Sequence, residues 1–236
     1  MSYSKLDPAP IRTTIETLEQ RILERFPHSG LRHVAAELTR LALENDRIIA
    51  QLRRPIWWIR VTTIVALVSL ITLTIWIAVS FVQIADGETR SLPEILQGVD
   101  AAINELILFS LAVFFLTSLE TRFKRRKALR MLHRFRSLAH IVDMHQLTKD
   151  PEHILHRVAD TESSPVRALT RGELTRYLEY CTELLSLVSK LAALHAQDLQ
   201  DPVVLEAVND IETLTNELSR KVWQKITILD LTQSHA

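Results

Sequence analysis

The amino-acid sequence predicts an all-α protein: a two-span membrane hairpin joined to a cytoplasmic helical bundle that both ends of the chain form. Three observations predict this class. Glycine and proline are scarce, with four and eight among 236 residues, and residues that favour helices dominate. Apolar side chains recur at helical spacing in both terminal regions. Two long apolar segments lie between these regions, close to clusters of arginine and lysine.

The N-terminal region, residues 1–55, predicts two cytoplasmic helices. Its two apolar stripes are separated by the turn sequence FPHSG at Phe26–Gly30, and the second stripe ends before Pro55. Each stripe follows the 3.6-residue period of a helix with one buried face. The first stripe comprises Ile11, Ile15, Leu18 and Ile22, and the second comprises Val34, Leu38, Leu41, Ile48 and Leu52.

Residues 56–85 predict the first transmembrane helix. From Val61 to Ala85 there are twenty-five residues without a charge, whereas about 20 are enough to cross about 30 Å of hydrocarbon. Trp57 and Trp58 stand at the start of the segment, where indole rings favour the membrane interface. Arg60 can extend its guanidinium outward from there.

Residues 101–119 predict the second transmembrane helix, which is shorter and contains Glu105. The basic residues that follow it form a stop-transfer pattern, because lysine and arginine are retained on the cytoplasmic side. Residues 86–100 form a short external loop that is acidic and contains a capping box, Ser91–Glu94, followed by an amphipathic turn.

The charge pattern sets the orientation of the hairpin. Residues 120–150 carry nine basic and three acidic side chains, and residues 85–103 carry one basic and four acidic. Both termini are therefore predicted in the cytoplasm of a multi-pass protein of the cell inner (plasma) membrane. The cations that flank the spans are expected to fix this topology and to contact anionic lipid headgroups: Arg53, Arg54, Arg60, Arg122, Lys124, Arg125, Arg126, Lys127 and Arg130.

The second transmembrane helix is expected to be very long and to extend into the cytoplasm. Nothing interrupts the helical pattern after Leu119, and a basic cytoplasmic extension covers residues 120–147 before TKDP stops it. From the capping box onward the helix would have some fifty-five residues and a length of about 80 Å. Its extension carries a partly apolar stripe, and Phe123 and Phe135 interleave its arginines. The stripe comprises Leu129, Leu132, Arg136, Ala139 and Val142.

After a linker with a short helix at residues 148–170, residues 171–236 predict an antiparallel cytoplasmic helical hairpin. Thr170 with Glu173 forms a capping box, and Asp201-Pro202 provides a cap and a first-position proline. The first of these helices, expected to end near Leu199, is apolar on more than one face, so the N-terminal helices or another subunit must cover it. Its stripes comprise Leu174, Leu178, Cys181, Leu185, Val188 and Ala192, flanked by Leu184, Leu187, Leu191 and Leu194.

A weakly polar stripe follows the first span. Its members fall within an arc of roughly 80° when plotted at 100° per residue. Such a stripe is typical of a helix-packing seam or, alternatively, of a pore lining. Glu105 lies at the headgroup level, at a pore mouth, or against a neighbouring subunit. The stripe comprises Thr62, Ser69, Thr72, Trp76, Ser80 and Gln83, with Ser110 and Thr117 on the second span.

The sequence contains none of the motifs that indicate catalysis or cofactor binding. It has no Gly-rich phosphate loop, no G-x-S-x-G, no H-E-x-x-H and no EF-hand loop. The single cysteine, Cys181, lies among apolar residues and is interpreted as a small core residue. Five histidines fall between positions 133 and 156 and are interpreted as interfacial or solvated, as a pH-responsive contact, or as metal ligands: His133, His140, His145, His153 and His156.

The resulting functional hypothesis is an oligomeric integral membrane protein that presents a cytoplasmic helical bundle for assembly or partner interaction, as a membrane anchor, scaffold or regulator. The alternative is a homo-oligomeric ion-conducting channel or membrane-permeabilising effector lined by the first span. In layout the chain resembles the two-span effector modules of bacterial conflict systems. The expected partners are the lipid bilayer, anionic headgroups, further copies of the chain and a cytoplasmic protein. No enzyme activity, cofactor, metal or nucleic acid is expected, because the net charge is zero and no catalytic motif is present.

Overall fold

The computed structural model describes residues 5–85, 92–149, 151, 162 and 169–231. In this part of the chain the secondary structure is entirely helical, with no β-strand, and the predicted all-α class is confirmed. The α-helices are α1 (Pro8–Arg25), α2 (Gly30–Arg53), α3 (Trp57–Ala85), α4 (Leu92–Leu147), α5 (Arg171–Ala196) and α6 (Pro202–Leu231).

The helix starts follow cap residues that are visible in the sequence. At α5, the Glu173 backbone N–H donates to the Thr170 hydroxyl at 3.3 Å, and the Thr170 backbone N–H donates to the Glu173 carboxylate at 2.8 Å. At α6, the Asp201 carboxylate accepts from the backbone N–H of Val203 at 3.1 Å. These caps satisfy backbone donors that have no partner within the helix. The capping box predicted at Ser91 lies outside the described residues.

The chain divides into two compact units. One consists of Met1–Arg53 and Lys127–Ala236, and the other of Arg54–Arg126. Helix α4 contributes to both units, because it continues unbroken to Leu147, where the sequence predicted its end.

The first unit is a helical bundle in which α5 is the most extensively buried helix. Helices α1, α2 and α6 all contact α5. Of the two predicted ways to cover the apolar faces of α5, the N-terminal helices or another subunit, the structure shows the first. The start of α5 packs against the end of α6, which makes the pair antiparallel. The predicted apolar stripes of α1 and α5 are buried in full, and that of α2 is buried apart from half-buried Ile48. On α6, the apolar residues at helical spacing are also buried apart from half-buried Leu214; they are Val204, Val208, Ile211, Leu214, Leu218, Val222 and Leu229.

Within the bundle unit, α4 buries a face that matches the predicted stripe only in part. Arg136 is exposed and Leu129 is only half-buried, whereas Phe135 lies fully in the core. The predicted stripe is therefore buried at Leu132, Ala139 and Val142, whereas its inclusion of Arg136 was wrong. The physical reason is that an aromatic ring buries more apolar area than the alkyl part of an arginine, and this rotates the buried face. The buried residues are Ala128, Met131, Leu132, Phe135, Leu138, Ala139 and Val142.

The second unit contains α3 and the first part of α4, the two helices that are long and apolar enough to cross a membrane by length and composition. The chain itself buries almost none of their most apolar stretches. A helix with apolar residues on all sides is stable when another apolar medium covers it, either protein or lipid. The function of the chain therefore depends on whether protein or lipid covers these two helices.

Candidate membrane-embedded site

The side of α3 that faces α4 is mainly apolar. Ile59 is buried and Thr63, Ala66 and Leu70 are half-buried, at the alternating spacing of four, three and four residues that defines one helix face. Ile59 and Thr63 share a cavity with Glu120 of α4. The Thr63 hydroxyl donates to the Ile59 carbonyl at 2.8 Å. The contact between α3 and α4 therefore involves few polar side chains of α3.

The predicted polar stripe lies on another side of α3. Thr62, Ser69 and Thr72 are exposed, and Trp76 is 66% exposed. At 100° per residue these positions lie about a quarter turn from the face that meets α4. The residues of the stripe therefore do not form the contact between α3 and α4 of the same chain. They remain accessible to lipid, to another copy or to water.

The threonine hydroxyls of this stripe bond within their own helix. Thr62 donates to the Trp58 carbonyl at 3.0 Å, and Thr72 donates to the Val68 carbonyl at 2.9 Å. A hydroxyl with this bond has its donor satisfied, which reduces the cost of placing it in hydrocarbon. Its oxygen can still accept a bond from a second helix or from water. The geometry thus suits either a packing seam or a weakly polar lining.

Glu105 lies beside a small cavity at the contact between α3 and α4. The cavity has a volume of about 260 Å³ and is lined by residues of both helices, among them Leu70, Thr74, Val99 and Ile103. The Glu105 side chain itself is exposed. Its carboxylate is therefore next to apolar surface without being enclosed by it, and its role at a headgroup, a pore mouth or a subunit contact stays a prediction.

The remaining positions of the predicted stripe are only partly described. Ser110 is exposed on α4. The side chains of Ser80, Gln83 and Thr117 lie outside the described residues, so their place in the stripe stays a prediction from the sequence.

Glu120 connects the start of α3 to α4 through its carboxylate. This carboxylate accepts the backbone N–H of Ile56 at 3.3 Å and lies 2.9 Å from Lys124 Nζ and 3.5 Å from Arg60 Nε. Burial by itself raises the pKa of Glu120, but the hydrogen bonds and charges of these neighbours outweigh it and lower the pKa below its ordinary value. In the sequence, Glu120 is merely the one acid in a block of basic residues, four positions before Lys124. This spacing indicates an ion pair within one helix but not the contact with α3.

Several cations assigned to lipid contact have partners within the chain. In the bundle, Arg53 Nη2 lies 2.5 Å from the Asp198 carboxylate, and Lys127 bonds with the Gln51 side chain. Because the first pair is largely exposed, its contribution to stability is small. These contacts leave the cations near the surface, where they remain compatible with an anionic headgroup.

The other flanking cations belong to the second unit or to the basic helix. Arg54 is exposed, and the Arg122 guanidinium lies 5.9 Å from the centre of the Phe115 ring. Arg125, Arg126 and Arg130 also interact within the chain. Their contact with lipid stays a prediction.

A buried polar pair that the sequence did not reveal joins α2 to α5. His195 Nδ1 lies 2.5 Å from Asn45 Oδ1, and the imidazole is 2% exposed and packs edge-on against Phe135. Burial lowers the pKa of His195 to about 4, although the Ala128 backbone carbonyl opposes this shift. The ring is therefore neutral at physiological pH. In the sequence, both residues merely interrupt apolar stripes.

The clustered histidines are not grouped in the described part of the chain. His133 and His140 are exposed, His145 packs against Gly30 at the start of α2, and His153 and His156 lie outside the described residues. Where the structure is described, no three side chains of the metal-binding types lie together. Cys181 is fully buried, as predicted, and burial raises the pKa of its thiol to about 12.

Comparison of the chain with protein-family models, with curated proteins and with solved structures finds no significant match.

Proposed function

We propose that the chain is an oligomeric integral membrane protein without catalytic activity, in which the membrane helices anchor a cytoplasmic helical bundle that serves assembly or binds a protein partner. The observation that carries this proposal is the exposure of the polar stripe on α3, since it lies away from α4. The bilayer and its anionic headgroups are the other expected partners.

The large apolar surface of the second unit supports a location in the membrane. Soluble monomers rarely expose a contiguous apolar patch larger than a few hundred Å². Helix α3 and the first part of α4 expose many large apolar side chains, among them Ile64, Ile75, Leu108 and Phe114. A bilayer covers such surface without any further protein, and it accounts for the charged residues that flank both apolar segments.

Small hydroxylated side chains on α3 support self-association in the membrane. Lipid is as apolar as leucine, so helices associate in a membrane through close packing and hydrogen bonds rather than through the hydrophobic effect. Ser69 and Thr72 are small and hydroxylated, and they share one exposed face. A second copy that packs on this face gives their oxygens a polar partner. The two-helix unit thereby becomes part of a larger membrane domain.

Cysteine crosslinking in membranes tests this contact. Cys181 is fully buried, so the wild-type chain provides a low background of reactive thiol. A Ser69→Cys variant is expected to form crosslinked dimers on mild oxidation. Thr74→Cys is the matched control, because Thr74 lies on the opposite side of α3, beside the cavity shared with α4. Equal crosslinking of the two variants, or none with Ser69→Cys, contradicts the proposed contact.

The second candidate function is an ion-conducting channel or membrane-permeabilising effector lined by α3. The exposure of Thr62 and Thr72 supports it, because their hydroxyl oxygens can still accept a hydrogen bond from water. Purified protein in liposomes would then pass ions, and Thr72→Leu would abolish the flux while oligomers persist. Thr74→Leu is the control, since both hydroxyls donate to the carbonyl four residues earlier at 2.9 Å. Absence of flux leaves the anchor function.

The orientation of the chain is proposed from its charge pattern, with both termini in the cytoplasm. A cysteine at Gly87 is expected to react with a membrane-impermeant maleimide added to intact cells. A cysteine at Ser163 is expected to react only after the membrane is opened. The reverse labelling pattern would invert the topology and would place the bundle outside.

A further inference from the structure

A groove between α4 and α6 lies in the helical bundle, outside the membrane-embedded site. Its volume is about 700 Å³, which is within the range of small-molecule sites. All of its lining residues belong to the bundle unit. They are Leu129, Arg130, Leu132, His133, Arg134, Arg136, Ser137, Ala207, Asp210 and Ile211.

Arginine outnumbers acidic residues in the lining of this groove, although Arg130 and Arg134 both interact with other residues of the chain. Its lining contains three arginines and one histidine, against the single acid Asp210. Arg134 is compensated by Glu44, whose carboxylate lies 2.5 Å from its Nη1. Arg136 is exposed and forms no ion pair with any residue that the structure describes. Its guanidinium is therefore able to bind an anionic ligand.

The floor of the groove is apolar. Leu132 and Ile211 are buried, whereas Leu129 and Ala207 are half-buried and reach the groove surface. A bare inorganic anion would gain nothing from this floor. A ligand that combines an anionic group with an apolar or aromatic portion can use both parts of the lining.

We propose that this groove binds an organic phosphate, with the phosphate at Arg136 and His133 and the apolar or aromatic portion over Leu129 and Ala207. Arginine matches phosphate because its planar guanidinium donates two parallel N–H bonds. The same chemistry is present in a free organic phosphate and in the headgroup of an anionic lipid. The proposed function does not enter this inference, because the groove belongs to a single chain.

Binding to the full-length chain in a neutral detergent tests the proposal. The probes are ATP, inorganic pyrophosphate and dihexanoyl phosphatidic acid, with dihexanoyl phosphatidylcholine as the uncharged control, all followed by thermophoresis at one ionic strength. ATP or the phosphatidic acid is expected to bind saturably and more tightly than pyrophosphate. Whichever of the two binds more tightly identifies the source of the phosphate.

Variants assign this binding to the groove. Arg136→Gln is expected to weaken binding at least about tenfold, because it removes a charge-assisted hydrogen bond. Arg220→Gln is the matched control: Arg220 is an exposed arginine of α6 that does not line the groove. His133→Gln provides a second test should Arg136→Gln disturb folding. The proposal is overturned by absence of saturable binding, by pyrophosphate binding as tightly as both organic phosphates, or by equal losses in the Arg136 and Arg220 variants.

Discussion

Acidification is expected to destabilise the bundle through His195. In the folded chain its imidazole is 2% exposed and has a pKa of about 4, against an ordinary value of 6.5. The unfolded chain therefore binds a proton at a pH at which the folded chain does not. The stability contribution of the neutral ring is complete above pH 6.5 and is lost as the pH falls from 6.5 towards about 4.

The magnitude follows from the difference between these two pKa values. One pKa unit corresponds to about 1.4 kcal/mol, so the loss attributable to His195 across this window amounts to about 3 kcal/mol. This is a large fraction of the 5–15 kcal/mol by which typical domains are stable. The slope cannot exceed about 1.4 kcal/mol per pH unit, because a single proton is bound.

Denaturant unfolding of the full-length chain in mild detergent measures this effect at a series of pH values. Trp223 in α6 reports the bundle when Trp57, Trp58 and Trp76 of α3 are replaced by phenylalanine, and this separates unfolding of the bundle from changes in α3. Carboxylates such as Asp198, with a pKa lowered mainly by hydrogen bonds from Lys5 and Arg53, lose their contributions only below the ordinary carboxyl range. The interval from pH 6.5 to pH 5 is thus dominated by histidines.

A double variant isolates the contribution of His195. Asn45→Leu with His195→Leu replaces both members of the buried pair by apolar side chains and leaves neither polar group without its partner. Its stability is expected to vary much less between pH 6.5 and 5 than that of the wild type. His145→Gln is the control, because burial also lowers the pKa of His145 but the side chain is less buried. A double variant with the wild-type pH dependence would refute the assignment to His195.

Three further predictions concern the helix ends. Gly30→Ala places a methyl group against the His145 ring and is expected to lower the unfolding free energy of the bundle by about 1–3 kcal/mol. This loss of stability should disappear in a His145→Ala background. Gly172→Ala is the control, because its methyl group meets open space and should not destabilise the bundle. Thr170→Ala removes the capping box of α5 and is expected to lower the unfolding free energy by about 1 kcal/mol; an unchanged midpoint would contradict the cap. Glu120→Ala removes the acceptor of the Ile56 N–H, Arg60 and Lys124. It is expected to lower the unfolding free energy of the second unit by about 1–2 kcal/mol, measured as a lower thermal midpoint in detergent.

Local patterns predicted most of the helical architecture because they act within a few residues. The caps at Thr170 and Asp201 and the buried stripe from Ile11 to Ile22 follow from side-chain spacing and hydrogen bonding alone. The end of α4 at Leu147 was predicted from the proline that follows it.

Features that depend on contacts between distant segments were not predictable in the same way. The buried face of α4 is set by α2, α5 and α6, and it includes Phe135 rather than Arg136. The pair of Asn45 and His195 is separated by 150 residues, so neither position indicates its partner in the sequence. The polar stripe on α3 was visible as a periodicity, but only the structure shows that α4 does not cover Ser69 and Thr72.

The proposed function requires above all that α3 and α4 are embedded in a membrane. Sedimentation of cell membranes after an alkaline carbonate wash measures this, because the wash removes peripheral proteins and retains membrane-spanning ones. The chain is expected to remain in the membrane pellet and to enter the supernatant only when detergent is added. Release by carbonate, or solubility after lysis without detergent, would mean that protein rather than lipid covers these helices, and the proposed membrane function would be contradicted.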